Sequence, residues 1–192
     1  MERFIFAQPT SWVVHQHTAN LHGAFRIEDV DGNEVIRSRA KHFSMRDKRM
    51  FCDPQTDQEI FATRVRRLSF FNTVQVLVGE TVIATIRPEV FGHVNPTVRC
   101  YHGDAQFTGD QTSAPMLFEA VGDPCRPRDR DFSDANGDEI AASRNNMCWH
   151  FFPAFCVANE YEVECEAGAN CGLIWAAIIA IDDLIDAQKG NN

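Results

Sequence analysis

The chain lacks the features by which the commonest protein classes declare themselves, and each absence narrows what it does. No GxSxG elbow, HExxH pair, GxxxxGK loop or GxGxxG turn occurs in its 192 residues, so hydrolase, metalloprotease and nucleotide chemistry have no anchor. The expectation is a protein that is not an enzyme, with no catalytic residue and no cofactor. Basic residues are outnumbered 18 to 27, for a net charge of −9, which argues against a nucleic-acid partner because phosphate neutralisation needs a basic face. None of the seven cysteines falls in a CxxC pair, and Asn95-Pro96-Thr97 is blocked as a glycosylation site by its proline. Free thiols packed as small hydrophobes follow. The start, MERFIFAQPTSW, has one basic residue and no apolar run of signal-peptide length, which predicts a cytoplasmic chain.

Long hydrophobic runs are also missing. The most apolar stretch is CGLIWAAIIAI, Cys171 to Ile181, which as a helix gives about 17 Å, against roughly 30 Å for a hydrocarbon core. No transmembrane span is therefore expected, and a hydrophobic helix that cannot span must be buried in protein. Leu173, Ile174, Trp175, Ile178, Ile179 and Ile181 surround its axis, which suits an apolar lumen better than a cofactor site. Asn170 is placed to cap its free amides while Gly168 turns the chain. Asp182, Asp183 and Asp186 oppose the macrodipole at its other end; they are expected at the mouth of the enclosure, in water or paired with arginine.

What encloses the helix is written in short alternating runs. Phe25–Ile36, Thr73–Ile86, Pro96–His102, Met116–Val121 and Asp131–Ser143 place Val, Ile, Phe and Thr between polar residues. Asp31-Gly32, Gly79-Glu80 and Asn136-Gly137 interrupt them with hairpin chemistry. IEDVDGNEV (27–35) and FSDANGDEI (132–140) align without a gap, and CDPQTDQEIF (52–61) is a looser third copy. Duplication and convergence of short turns explain this echo equally well, and either means repeated strand-turn-strand units. The fold class is mainly β, a closed antiparallel sheet wrapped around one terminal helix. It forms a single domain over residues 1–189, with a disordered tail at 190–192 and a loop at Gly109–Pro115.

Two groups of residues are candidates for a site. Arg46, Lys48 and Arg49 lie in one stretch and Arg64, Arg66 and Arg67 in the next, flanking the hairpin around Asp53 to Asp57. They read either as a solvated face balanced by carboxylates or as a site for an anionic lipid headgroup. Cys100-Tyr101-His102 and Cys148-Trp149-His150 are both Cys-x-His, which on a strand aims both side chains one way, as does His15-Gln16-His17. Cys100, His102, Cys148 and His150 are the candidates for zinc, although structural zinc spacing is usually Cys-x₂₋₄-Cys and no metal is expected.

The ordered set FRIEDVDGNEVI, SMRDKRMFCDPQTDQEIFATRVRR (44–67), FEAVGDPCRPRDRDFSDANGDEIAAS (118–143) and YEVECEAGANCGLIWAAIIAIDDL (161–184) resembles the LURP-one-related family of tubby-like C-terminal domains. The resemblance covers nearly the whole chain. It implies a barrel of about twelve strands enclosing the carboxy-terminal helix. Through the tubby proteins it implies phosphoinositide binding on the barrel surface, at the two basic clusters by approximate position. Through the phospholipid scramblases it implies lipid translocation, with VGDPC (121–125) similar to a Gly-Pro-Cys element. The chain departs from scramblases in lacking a Pro-rich arm and an acidic calcium-binding-like segment before the helix. The function expected is a non-enzymatic binding or scaffold module, monomeric, cytoplasmic or peripheral to a membrane through anionic phospholipid. The alternatives are a scramblase-like translocator and a stress- or defence-response domain whose partners are proteins.

Overall fold

The computed structural model of the chain describes residues 1–17, 24–40, 48–66, 73–89, 97–109, 111–123, 125–126, 128–146 and 160–189. The tail at 190–192 lies outside the described residues. A 3-10 turn, Glu2–Phe4, precedes twelve described strands: β1 Thr10–His17, β2 Ala24–Asp29, β3 Glu34–Ala40, β4 Lys48–Cys52, β5 Glu59–Arg66, β6 Thr73–Val78, β7 Thr81–Glu89, β8 Thr97–His102, β9 Met116–Gly122, β10 Arg130–Asp134, β11 Glu139–Asn145 and β12 Glu160–Cys165. One helix, α1, follows at Cys171–Lys189.

Every strand pairs antiparallel with its neighbours in sequence, and β1 closes on β12 with Thr10 opposite Cys165 and Val14 opposite Tyr161. The sheet is a closed barrel, so no edge is left to template aggregation. Alternation makes the wall, most plainly on β12. On β12 Tyr161, Val163 and Cys165 are buried while Glu160, Glu162 and Glu164 face out. The charged outer face of β12 is the reverse of the apolar band on a lipid-exposed barrel.

The helix fills the lumen. Trp175 is fully buried, and Ile174, Ile178, Ile179 and Ile181 are 5% exposed or less, each contributing about 2 kcal/mol on burial. The strands answer with Val14, Phe25, Ile27, Ile36, Phe51, Phe61, Ile86 and Phe132, and the Phe51 and Phe61 rings stack at 4.2 Å. Among the described residues no helix is long and apolar enough to cross a membrane.

The two ends of the barrel differ. Alternating strand direction puts the β2–β3, β4–β5, β6–β7 and β10–β11 hairpins at one end, where the chain also enters the helix. The Asn170 side chain and carbonyl both accept from Leu173 N, and Gly168 has φ +84°. This hairpin end is plugged. Phe4 and Trp12 meet Trp175 edge-on at 5.1 and 5.0 Å, and Gly172 is small because Met1 and Phe4 lie over it. The helix runs from there to the opposite end, the mouth, where polar side chains collect.

The sequence echo is one turn built three times. Asp29 Oδ1 accepts from the amides of Asp31 and Asn33 at 3.0 and 2.8 Å, Asp134 Oδ1 from those of Asn136 and Asp138 at 2.8 and 3.0 Å. Asp53 Oδ1 takes the amides of Gln55 and Thr56 at 2.9 and 3.0 Å. Glycine supplies the positive φ in two copies, Gly32 and Gly137. The third turn is one residue longer, and Asp57 takes that conformation at φ 59°, which Asp tolerates better than most residues. These hydrogen bonds hold all three carboxyls below the usual range: chiefly the Asn33 side chain for Asp29, the Thr56 amide for Asp53 and the Asn136 amide for Asp134.

Two outcomes follow from this architecture. Ile174→Asp places an unpaired charge in the lumen and is expected to abolish soluble folding; a soluble, cooperatively melting variant contradicts the enclosed-helix arrangement. A carboxyl depressed on folding stabilises above its unfolded pKa of about 3.9, and that stability is lost as pH falls below it. The thermal midpoint of the wild type is therefore expected to fall more steeply between pH 4 and pH 2 than that of an Asp29→Asn, Asp53→Asn, Asp134→Asn triple variant.

Candidate functional site

The wall formed by β2 to β5 carries the basic residues. Residues 26–67 hold ten Lys and Arg against eight Asp and Glu, a balance of +2 in a chain of net charge −9. Lys48 on β4 lies directly opposite Arg64 on β5, and Arg26 on β2 opposite Arg37 on β3. Arg39 and Arg66 fall near the mouth ends of β3 and β5. On β2, β3 and β5 the cations lie toward the mouth and the acids toward the hairpin end, while β4 carries Lys48 at its mouth end and Asp57 stands in the β4–β5 turn. Arg26 pairs with Glu28 at 2.8 Å, Arg37 with Glu34 at 2.7 Å, Arg39 with Asp57 at 2.7 Å and Lys48 with Glu59 at 3.2 Å. The result is a band of positive charge around one side of the mouth, bordered by carboxylates below.

The six expected headgroup residues divide. Lys48, Arg64 and Arg66 share the outer wall. Arg49 turns to the core side of β4, its guanidinium 4.8 Å above the Phe25 ring. Arg46 and Arg67 lie outside the described residues. Arg26, Arg37 and Arg39 join the band without having been singled out in sequence; the signal for them was strand direction, which places them at the same end as Lys48.

A segment between β8 and β9 folds back over β7 and β6 to the β5 edge of this wall. Gly103 N donates to Ile83 O at 2.9 Å, and the Thr85 hydroxyl both donates to Gly103 O and accepts from Ala105 N. Asp104 Oδ1 then takes Arg66 Nη1 at 3.2 Å and Gln75 Nε2 at 2.7 Å, while Gln75 Oε1 accepts from Arg64 Nε and Nη2 at 3.1 and 2.7 Å. Gln106 receives the other nitrogen of Arg66. Phe107 lies 4.5 Å under Arg87 and 5.3 Å from Tyr101. The loop expected at 109–115 is thus the end of a longer connection whose first half is tied down by arginines.

Two of the four zinc candidates fall among the described residues. Cys100 is fully buried, with burial pushing its thiol pKa up, and His102 is exposed at the strand end. Cys148 and His150 lie outside the described residues. His15 is held on the outer wall between Glu28 and Glu160, at 3.1 Å to each. Among the described residues no three His, Cys, Asp or Glu side chains are grouped as a metal site.

At the mouth the helix ends in an ion pair. Asp182 is 1% exposed and accepts from Arg128 Nη1 and from the Tyr161 hydroxyl; Arg128 also donates to Tyr161 at 3.0 Å. Burial first, and the Asp182 carboxylate second, push the Tyr161 pKa up, so the phenol stays protonated and donates. The side chains of Asp183 and Asp186 lie outside the described residues; Asp182 is paired with arginine, as expected for a terminal aspartate. Its partner sits in CRPRDRD (125–131), where Arg126, Arg128 and Arg130 recur at the two-residue spacing of a strand; that alternation was the available signal. Asp182→Leu is expected to cost about 3–5 kcal/mol by stranding Arg128, and Arg128→Met with Asp182→Leu to recover most of it. Urea denaturation of the four-member cycle measures this.

Residues 10–182 match the model of the LURP-one-related family. No curated protein matches the chain in sequence. The matched span begins with β1, ends at Asp182, and contains every strand of the barrel, so both the closed wall and the ion pair that anchors the helix fall within it. On this match, the chain belongs to the LURP-one-related family.

Proposed function

We propose that the protein is a non-enzymatic binding domain that docks on anionic phospholipid, phosphoinositide included, through the basic band of β2 to β5. The observation that carries the reading is the sorting of charge over the β2 to β5 wall, with Arg26, Arg37, Arg39, Lys48, Arg64 and Arg66 toward the mouth and Glu28, Glu34, Glu59 and the turn residue Asp57 toward the other end. The pairs within the wall do not stand in the way. Exposed pairs of this kind are worth about 0–1 kcal/mol each, and a basic side chain at an anionic membrane surface gains about 1 kcal/mol. A headgroup therefore competes on equal terms for the cations of these pairs, and at Arg64 and Arg66 it displaces Gln75, Asp104 and Gln106. The apolar helix is spent on the core, so recruitment from the cytosol rests on the surface charge.

Flotation with liposomes of graded phosphoinositide content, at two salt concentrations, tests the reading. Wild type is expected to bind in a salt-sensitive way. Lys48→Glu, Arg64→Glu and Arg66→Glu together are expected to weaken binding by at least about a hundredfold, taking about 1 kcal/mol for each charge. Binding that is indifferent to salt and to the substitutions moves the contact off this wall. No binding by either protein removes the lipid ligand and leaves a domain whose partners are proteins.

A further inference from the structure

Three polar side chains on the outer face of the barrel are buried, which a solvated wall does not allow. Alternation sends Val74, Val76, Ala84 and Ile86 into the lumen and so turns Gln75, Thr85 and Arg87 outward, yet these three are 5% exposed or less. The cover is the segment between β8 and β9. The Thr85 hydroxyl donates to Gly103 O at 2.7 Å and accepts from Ala105 N at 3.0 Å. Gln75 Nε2 donates to Asp104 Oδ1 at 2.7 Å, and Arg87 Nη1 to Gly109 O at 3.0 Å. Half-buried Phe107 lies against the Arg87 guanidinium and the Tyr101 ring. The segment is a strap laid across β7 and β6, with its acceptors on the edge of β5.

The polar seat decides how firmly the strap is held. Lifting it hands Gln75, Thr85 and Arg87 to water, which replaces their hydrogen bonds, whereas lifting an apolar segment would expose surface that water penalises. The strap thus belongs to the parts of a fold that open at low cost. What it holds on β5 are the phosphate-binding edges of two arginines. Asp104 Oδ1 takes Arg66 Nη1 at 3.2 Å and Gln106 Oε1 takes Nη2 at 3.0 Å. Gln75, fixed by Asp104, sets its Oε1 on Arg64 Nε and Nη2 at 3.1 and 2.7 Å. These are the forks by which a guanidinium takes two oxygens of one phosphate. The Asp104 and Arg66 side chains are 48% and 32% exposed, so an arriving anion reaches the pair from solvent.

We propose that this strap is an autoinhibitory element of the basic band: Asp104 and Gln106 occupy the phosphate-binding edge of Arg66, Asp104 fixes that of Arg64 through Gln75, and a lipid phosphate docks there by displacing them. This control rests on the docking reading given above and adds its regulation. Asp104 opposes docking twice, since it competes for Arg66 and its charge faces the incoming headgroup. Gln106 competes without a charge. Thr85 holds the strap from below through the backbone of Gly103 and Ala105, so substitutions at the three positions separate charge from displacement.

The test is flotation of the full chain with phosphatidylcholine vesicles carrying phosphatidylinositol bisphosphate. It compares wild type with Asp104→Asn, Gln106→Ala, Thr85→Val and a charge control, Glu164→Gln on the outer face of β12. Asp104→Asn is expected to tighten binding by at least about fivefold, the equivalent of one charge at an anionic surface, and by more than Glu164→Gln. Gln106→Ala and Thr85→Val leave the net charge unchanged and are also expected to tighten it. Chymotryptic cleavage after Phe107, followed by mass spectrometry, is expected to run faster in Thr85→Val than in wild type. Tightening by Asp104→Asn and Glu164→Gln alike, with the two neutral variants equal to wild type, is a general charge effect and overturns the proposal. Wild-type binding that no variant changes overturns it and leaves docking on the band standing, whereas absence of binding by every protein overturns both. Cleavage after Phe107 that no variant accelerates also overturns it, because these contacts then do not hold the strap. Where Thr85→Val does not fold, Gln106→Ala, an exposed position, decides in its place.

Discussion

A helix that is apolar on every side has to be covered on every side, and that requirement organises the molecule. Trp175, Ile174, Ile178 and Ile179 point in different directions from one axis, so packing against a single sheet would leave half of them in water. Closing the sheet removes the difficulty and the sheet's own edges with it. The inward positions are then committed to apolar residues of the right size, and polar chemistry is left to the outer wall and the two ends.

The ends solve different problems. Where the helix begins, free amides are met by Asn170 and the lumen is closed by Phe4 and Trp12 against Trp175. Where it leaves the apolar lumen, the solution is electrostatic: Asp182 is held by Arg128 and Tyr161, a pairing that costs desolvation and returns it only because both partners are present. The mouth also concentrates cations, outward on β2 to β5 and inward at Arg130. One end of the barrel is hydrophobic closure, the other is charge.

Much of this was open to reading from residue patterns. Alternation on strands such as Tyr161–Cys165 gives faces directly, because the side-chain period is two, and the Asp-x-x-Gly turns at 29–32 and 134–137 give hairpins because their backbone needs positive φ. The basic clusters were visible as clusters, but not their division: Lys48 and Arg49 are adjacent in sequence and opposite in space for the same reason of period two. Arg26, Arg37 and Arg39 were passed over because each stands alone between acids, and they become a band only when four strands lie side by side.

What the sequence by itself determined is therefore local and periodic: an apolar terminal helix too short to span a bilayer, short alternating strands, turns that force reversals, and a family pattern that covers nearly the whole chain. Tertiary structure alone decided which distant groups meet. That Asp104 reaches across to Arg66, that Asp182 finds Arg128 fifty-four residues away, and that Arg130 is buried between Gly122 and Ser143 depend on register and closure. Those are set by the summed packing of twelve strands around one helix, and no local window of residues contains that sum.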